Sequence, residues 1–378
     1  MIYFDYSATT PIDPRVLELM TEVHANAIGN PSSVHRFGQK ARSTVERARR
    51  QISSAVGCDP TEIIFTGSGS EANNLVLRNL LYGEKQHVVL SSIEHPSIYN
   101  TVKELEPLGI TNTVVDVDGA GRVNPDEVLN AIQEETGLVS IMMVNNEVGT
   151  VEPIADMANE CKNRNTPFHS DGVQALGKIP LDVKELGVTS MSFSAHKLYG
   201  PQGVGILYLS GGEELHPLIA GGSQENGRRA GTENVAGISG FGLAAELAAI
   251  EVQSEMERLS HLRESFTSII KENRPEVIIN GHPSATVPGV MSLSIPGISA
   301  EKLVMKLDMD GFAVSAGSAC ASGSPKPSPV LKAMGLSDEL NHQTIRISFG
   351  RFTTTEEVDS LVNTLLEYIP LSEAEMAV

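Results

Sequence analysis

From Glu62 onward the chain alternates between two hydrophobic periods. Short apolar runs at Glu62–Thr66, His87–Ser91, Thr111–Val117, Leu138–Val144, Pro167–Ser170, Val188–Phe193 and Val204–Leu209 read as strands. Between them Glu71–Leu81, Ser97–Leu108 and Pro153–Arg164 read as helices. Asn124-Pro125-Asp126-Glu127 opens another helix, with an N-cap amide, proline at the first helical position and acids in the first turn. Nearly continuous apolar strands alternating with helices predict a mostly parallel sheet covered on both faces, an α/β fold. Ahead of this block Val34–Val56 has the pattern of a helix with Arg and Glu on its wet face.

After the block the texture changes. Asn234–Asn273 contains no proline and is rich in Ala, Leu and Glu, which predicts one or two long helices leading out of the large domain. Beyond Pro275 short strands (Glu276–Asn280, Gly289–Ile295, Gln343–Phe349) mix with helices near Ala300–Leu307, Ser328–Met334 and Thr355–Tyr368. The expected organisation is a large domain over 16–260 and a small α+β domain built from 1–15 and 261–378. A loop of Ser, Ala, Gly and Pro, Ser315–Ser328, lies in the small domain and holds Cys320.

Composition narrows the function classes. The 378 residues carry a formal net charge of -19, which argues against nucleic-acid binding by a general field. Arg42, Arg47, Arg49 and Arg50 cluster in the predicted helix beside Glu46, as a solvated face would. The N-terminus has no basic region followed by an apolar segment, so no secretory signal is expected. No stretch reads as the run of ~20 apolar residues that spans a bilayer. Cys58, Cys161 and Cys320 form no Cys-x-x-Cys pair, so neither a disulfide framework nor a zinc site is expected. These features point to a cytoplasmic protein with free thiols and no membrane or metal.

The candidate chemistry sits where strands end. Ser192–Gly200, Ser-Phe-Ser-Ala-His-Lys-Leu-Tyr-Gly, follows one strand and places Lys197 at the sheet edge where open α/β sheets bind ligands. A lysine in a partly dry pocket can act as a neutral amine and form a Schiff base. Ser194 and His196 are anion donors beside it. Thr66-Gly67-Ser68-Gly69-Ser70-Glu71-Ala72 joins a strand to a helix, and its small residues suit a phosphate at a helix start. It satisfies the dinucleotide pattern Gly-x-Gly-x-x-Ala but is no Walker A loop. Asp171 ends another strand, where a protonated ring nitrogen would pair its carboxylate. Gln174 and Asn146 offer amide contacts. His95 can stack on a flat ring or move a proton. Singly each has an ordinary structural reading; together they form a cofactor site, delivered in strand order.

In these motifs the chain resembles the aminotransferase class V family of fold-type I enzymes, which use pyridoxal phosphate, and within it the cysteine desulfurases of the NifS/IscS type. The resemblance runs from Asp5-Tyr6-Ser7-Ala8-Thr9-Thr10-Pro11 to Ile345-Arg346-Ile347-Ser348-Phe349-Gly350-Arg351. Val144-Asn145-Asn146-Glu147, Ser192–Gly200 and Ser315-Ala316-Gly317-Ser318-Ala319-Cys320 carry it most specifically. It implies that Lys197 holds the cofactor, Asp171 faces the pyridine nitrogen and His95 covers the ring. Gly69, Ser70, Ser194 and His196 would bind the phosphate, and Gln174 and Asn146 the ring substituents. Thr232, in Arg229-Ala230-Gly231-Thr232, would reach the phosphate of a neighbouring subunit, which implies a homodimer. Arg346, helped by Asn30, would hold the substrate carboxylate. Cys320 would take sulfur from L-cysteine as a persulfide, leaving L-alanine. The acceptor would be an iron–sulfur scaffold or a tRNA-thiolating enzyme.

This chain has Gly69-Ser70 where the family usually has Ala/Gly-Thr, and Ala195 where Gly is common. It also ends short of the tail with which some relatives dock a scaffold. A selenocysteine lyase or another lyase of the same family would keep the same ring site. An NAD-dependent oxidoreductase, resting on Gly67-x-Gly69-x-x-Ala72, leaves Lys197 and Cys320 without a role, and a thiol carrier would need no phosphate loop.

Overall fold

The computed structural model describes residues 1–26, 28–316 and 327–370. A short N-terminal strand, β1 (Ile2–Tyr3), precedes seven strands that make the main sheet: β2 (Ile63–Thr66), β3 (His87–Ser91), β4 (Thr111–Val115), β5 (Thr136–Ser140), β6 (Phe168–Asp171), β7 (Ser190–Ser194) and β8 (Gly205–Leu209). Their order is β2-β8-β7-β6-β5-β3-β4. β8 runs antiparallel to both its neighbours, and β3 to β7 run parallel. The expected mostly parallel sheet with helices on its faces is thus what the chain builds. Strands β2, β3 and β5 to β8 are buried along almost their whole length, because helices cover the sheet on both sides.

The direction of the strands decides where the chemistry falls. β2, β3, β5, β6 and β7 all point their carboxyl ends to one edge. Gly69-Ser70, His95, Asn146, Asp171 and the Ser194–Lys197 turn therefore gather there, each just past its own strand or at its last residue.

Asn234 caps one continuous helix, Val235–Asn273, so of the one or two long helices expected the chain forms one. Its first part (Ile238, Phe241, Ala244) packs into the core beside the sheet, and its last part (Leu262, Phe266, Ile270) into a second core. This helix holds the one candidate for a membrane-spanning segment by length and composition among the described residues, and 56% of that window is buried inside the protein. It is a core helix that serves two cores.

The second core lies under an antiparallel sheet of β9 (Ile278–Asn280), β10 (Val290–Ser294), β12 (Ser315–Ala316) and β13 (Thr344–Ser348), in the order β12-β13-β10-β9; β11 (Phe312–Ala313) pairs in parallel with β1 instead. Through β1 the N-terminus brings Phe4 into this core.

The arginine cluster differs from expectation. Arg42, Arg47 and Arg50 are exposed, but Arg49 is buried and clasps Glu225 with two bonds of 2.9 and 2.6 Å. Its guanidinium also lies 4.7 Å from the Phe65 ring centroid. A partner 176 positions away leaves no local signal, so an amphipathic helix pattern assigns such a residue to solvent.

Candidate functional site

The phosphate-type loop comes first in the chain. Its helix spans Gly69–Arg78, two residues earlier than the pattern placed it, so Gly69 and Ser70 form its first turn. Ser68 is the N-cap and accepts from the Glu71 N–H at 3.1 Å. Glu71 in turn accepts from the Gly67 N–H at 2.7 Å and from Arg229 at 2.9 Å. The first-turn N–H groups have no intrahelical acceptor and favour an anion. Two glycines allow the close packing here. A Cβ at Gly69 would meet Val173 Cγ2 at 2.6 Å, and one at Gly205 would meet the Ser68 carbonyl carbon at 2.4 Å.

Asp171 is buried at the end of β6. Its Oδ1 accepts from the Val173 N–H at 3.0 Å and its Oδ2 from Asn73 Nδ2 at 2.8 Å. Asn73 also donates to Ser97 Oγ at 2.8 Å, while its Oδ1 lies 3.1 Å from His169 Nε2. Ser97 reaches His95 Nδ1 at 2.8 Å. Burial and the Lys197 charge hold His95 below the usual imidazole range, against the opposing pull of Asp171. Next to it, burial pushes Glu94 up to about 8.

Lys197 Nζ donates to the carbonyls of Ser7 and Ala8 at 2.5 and 2.7 Å. Thr10 clamps the turn that carries it: its hydroxyl donates to the His196 carbonyl at 3.0 Å and accepts from the Tyr199 N–H at 2.8 Å. Tyr199 needs that clamp, because its φ of 66° lies in the left-handed region that a bulky residue avoids. Lys178 donates to Gln174 Oε1, and Gln174 Nε2 donates to the Ser7 carbonyl at 3.0 Å. Desolvation, with the charges of Lys197 and Arg346, pushes Lys178 down to about 7. Burial, with the charges of Lys197 and Lys178, lowers His196 to about 4, so its imidazole is neutral.

Arg346 reaches the same place from β13. It donates to Asp5 Oδ1 at 2.7 Å and to the Asn146 carbonyl at 3.1 Å. Glu147, the next residue, accepts from Ser328 Oγ at 2.5 Å.

Gly69, Ser70, His95, Asn146, Asp171, Gln174, Ser194, His196, Lys197 and Arg346 thus line one cavity of about 480 Å³. Thr232 and Asn30 do not line it; both are exposed, and Asn30 Oδ1 accepts from the Ser32 N–H at 2.9 Å. Cys320 lies outside the described residues. The other two thiols are raised by burial, Cys58 to about 12 and Cys161 to about 11, which makes them poor nucleophiles. Sequence reasoning missed Asn73, Ser97, Glu94 and Lys178. Ser97, Glu94 and Lys178 act on residues two to four positions away and Asn73 on residues 24 and 98 positions away, contacts that residue type and spacing do not announce.

The donor set suits pyridoxal phosphate on two observations. Asp171 is a buried carboxylate that forms no ion pair among the described residues, so a protonated ring nitrogen would complement it. Arg346 Nε is buried without a hydrogen-bond partner among the described residues, so a substrate carboxylate would complete its guanidinium.

Known proteins resemble this chain over nearly its whole length. The family described as aminotransferase class-V matches residues 2–361. A protein from Dictyoglomus turgidum named cysteine desulfurase IscS is 43% identical, covering 96% of this chain and 93% of that one. A solved structure named NifS-like protein superposes with a TM-score of 0.91 at 36% identity, over 97% of this chain and 98% of that one. Another, described as SspA in complex with cysteine, gives 0.83 at 35% identity, over 94% and 100%.

Proposed function

The chain belongs to the aminotransferase class-V family, its activity is that of a cysteine desulfurase acting on L-cysteine, and we propose the following division of labour among its residues. Bound pyridoxal phosphate supplies a ring that accepts electrons from the substrate Cα. Lys197 holds that cofactor through Nζ and, once released, takes the Cα proton. Asp171 keeps a proton on the ring nitrogen, and His95 covers the ring. The first helical turn at Gly69 and Ser70 binds the phosphate with Ser194 and His196. Gln174 and Asn146 orient the ring substituents. Arg346 holds the substrate carboxylate; Asn30, which lies outside the cavity, takes no part in it.

Cys320 Sγ bonds to the substrate sulfur as the Cβ–S bond breaks. The electron pair stays with the carbon skeleton, which takes a proton at Cβ, recovers at Cα the proton that Lys197 took, and leaves as L-alanine, and Cys320 is left as the persulfide. An iron–sulfur scaffold or a tRNA-thiolating enzyme in the cytoplasm then takes the sulfur. Thr232 of a second copy completes the phosphate site in a homodimer.

One observation carries this reading: a buried carboxylate without an ion pair among the described residues, an amine-bearing turn and an arginine whose Nε has no partner among those residues converge on one cavity. Cysteine and a reductant added to the purified protein should yield alanine and sulfide in equal amounts. Borohydride should fix the cofactor's mass on Lys197. Lys197→Ala should abolish alanine formation, and turnover at the native rate in that variant overturns the assignment. Cys320→Ala should lose the persulfide and sulfide release.

A further inference from the structure

His95 enters the cavity as the N-cap of the helix Pro96–Leu105. Its Nδ1 accepts from the Ser97 N–H at 3.1 Å, and Ser97 Oγ lies 2.8 Å from the same nitrogen. The direction of that second bond follows from the far end of a chain of hydrogen bonds. An ionised Asp171 can only accept, so Asn73 must turn its NH₂ group toward it. The second N–H of that amide then goes to Ser97 Oγ. Asn73 Oδ1 is left to accept from His169 Nε2, whose Nδ1 partner is Ser190 Oγ at 2.9 Å. Ser97 Oγ, having accepted from Asn73, gives its own hydrogen to the acceptor within reach, His95 Nδ1.

Two donors therefore converge on one ring nitrogen, one from the backbone and one from a side chain. A hydrogen on Nδ1 would face both of them. Resting on the reading of this cavity as the reaction site, we infer that His95 stands there as a neutral imidazole with its proton on Nε2, held by Ser97 and Asn73 as positioning residues. A neutral ring of that tautomer presents N–H at Nε2, so His95 gives a hydrogen bond or a proton there and does not act as the base. That leaves the base's part to Lys197. It also ties the ring covering the cofactor to the carboxylate facing the ring nitrogen, through two side chains.

The electrostatics run the same way. The charged groups that act on His95 are Asp171, which favours the imidazolium, and Lys197, which with burial opposes it. Glu94, the preceding residue, is neutral at pH 7 because burial raises it to about 8.

The test is ¹⁵N NMR of histidine-labelled holoenzyme, with the His95 signals identified by their loss in His95→Gln. The expected result at pH 7 is one ring nitrogen bare and the other protonated, with the protonated one assigned to Nε2. Ser97→Ala keeps the backbone donor and loses the hydroxyl. Its imidazolium fraction at pH 6 should rise about five-fold, the factor that one hydrogen bond to the neutral form carries. Ser97→Thr should restore the native signals. A proton on Nδ1, an imidazolium at pH 7, or a Ser97→Ala spectrum identical to the native one overturns the inference. If the tautomer fails while alanine still forms, only this inference falls. If the tautomer holds and no alanine forms, the reaction assignment falls instead.

Discussion

Lys178 donates from Nζ to Oε1 of Gln174, and the Gln174 amide passes the contact on to the Ser7 carbonyl. Both lysines of the site thus bear on the same N-terminal turn, since Lys197 also donates to Ser7. Lys178 is lowered to about 7 by desolvation and the charges of Lys197 and Arg346. Its sign in folding follows directly. Between about 7 and its ordinary value of 10.5 the unfolded chain holds a proton that the folded chain does not, so this group adds stability as pH rises through that window. Replacing it by Met removes the effect. Urea unfolding should show the gap between native protein and Lys178→Met moving in the native protein's favour from pH 7 to pH 10. A gap that stays constant would mean that Lys178 keeps its charge in the fold.

The Arg49–Glu225 clasp makes a different prediction. Glu225 also accepts from the Phe65 N–H at 2.9 Å, so it ties the first strand of the main sheet to the helix Arg36–Val56. Arg49→Met would strand that carboxylate in the interior, and breaking a buried pair from one side costs about 3–5 kcal/mol. Replacing both partners, Arg49→Met with Glu225→Gln, should recover a large part of the loss. Denaturant unfolding of the two variants decides it. A single-variant loss within experimental scatter of zero would show that the pair contributes nothing.

These two residues also show what was legible in the sequence. The parallel sheet was, because buried strands and amphipathic helices differ in period. So was the edge at which Asp171, His95 and Lys197 meet, because strand ends can be located from spacing alone. Arg49 was misjudged, and Lys178, Asn73 and Ser97 passed unnoticed, for one reason. Their roles depend on chains of hydrogen bonds whose far ends, Glu225, Ser7 and Asp171, lie tens to hundreds of positions away, even where the first partner is only two or four positions off. Asp5 is a more distant case still, since its bond to Arg346 spans 341 positions. The start of the helix at Gly69 was missed on a smaller scale: glycine is a poor helix former, yet the Ser68 cap starts the helix there.

Thr10 should prove as important to turnover as a residue that touches substrate. Its hydroxyl bonds both to the carbonyl before Lys197 and to the N–H after Leu198, and holds Tyr199 at its strained φ. Thr10→Val keeps the shape and loses both bonds, for about 1–2 kcal/mol of stability. The larger effect is on alignment, where small displacements of a reacting group reduce rates by about ten-fold or more. Alanine formation should therefore fall steeply in Thr10→Val and recover in Thr10→Ser. Equal rates in all three proteins would show that the turn holds its shape unaided.

Two buried carboxyls should set how stability varies with pH. Glu94 accepts from Ser91 Oγ at 2.6 Å and the Met142 N–H at 2.8 Å, and Glu152 accepts from the Val123 N–H at 2.9 Å. Each keeps one buried oxygen without a partner among the described residues, and burial raises each to about 8 from an ordinary 4.5. A carboxyl raised in this way is protonated in the fold and ionised in the unfolded chain across that window. Its contribution is complete below 4.5 and is lost as pH rises through 8, by up to about 1.4 kcal/mol per pH unit for one linked proton. The buried His169 and His196, lowered to about 4, act in the opposite sense below 6.5. Their terms cancel when native protein is compared with a variant at the same pH. Glu94→Gln and Glu152→Gln each keep the shape without a titrating proton. Measured by denaturant unfolding, each should gain on the native protein steadily from pH 5 to pH 8, and the double variant should gain by the sum. A native protein that keeps its lead across that range would mean both carboxyls are already ionised in the fold.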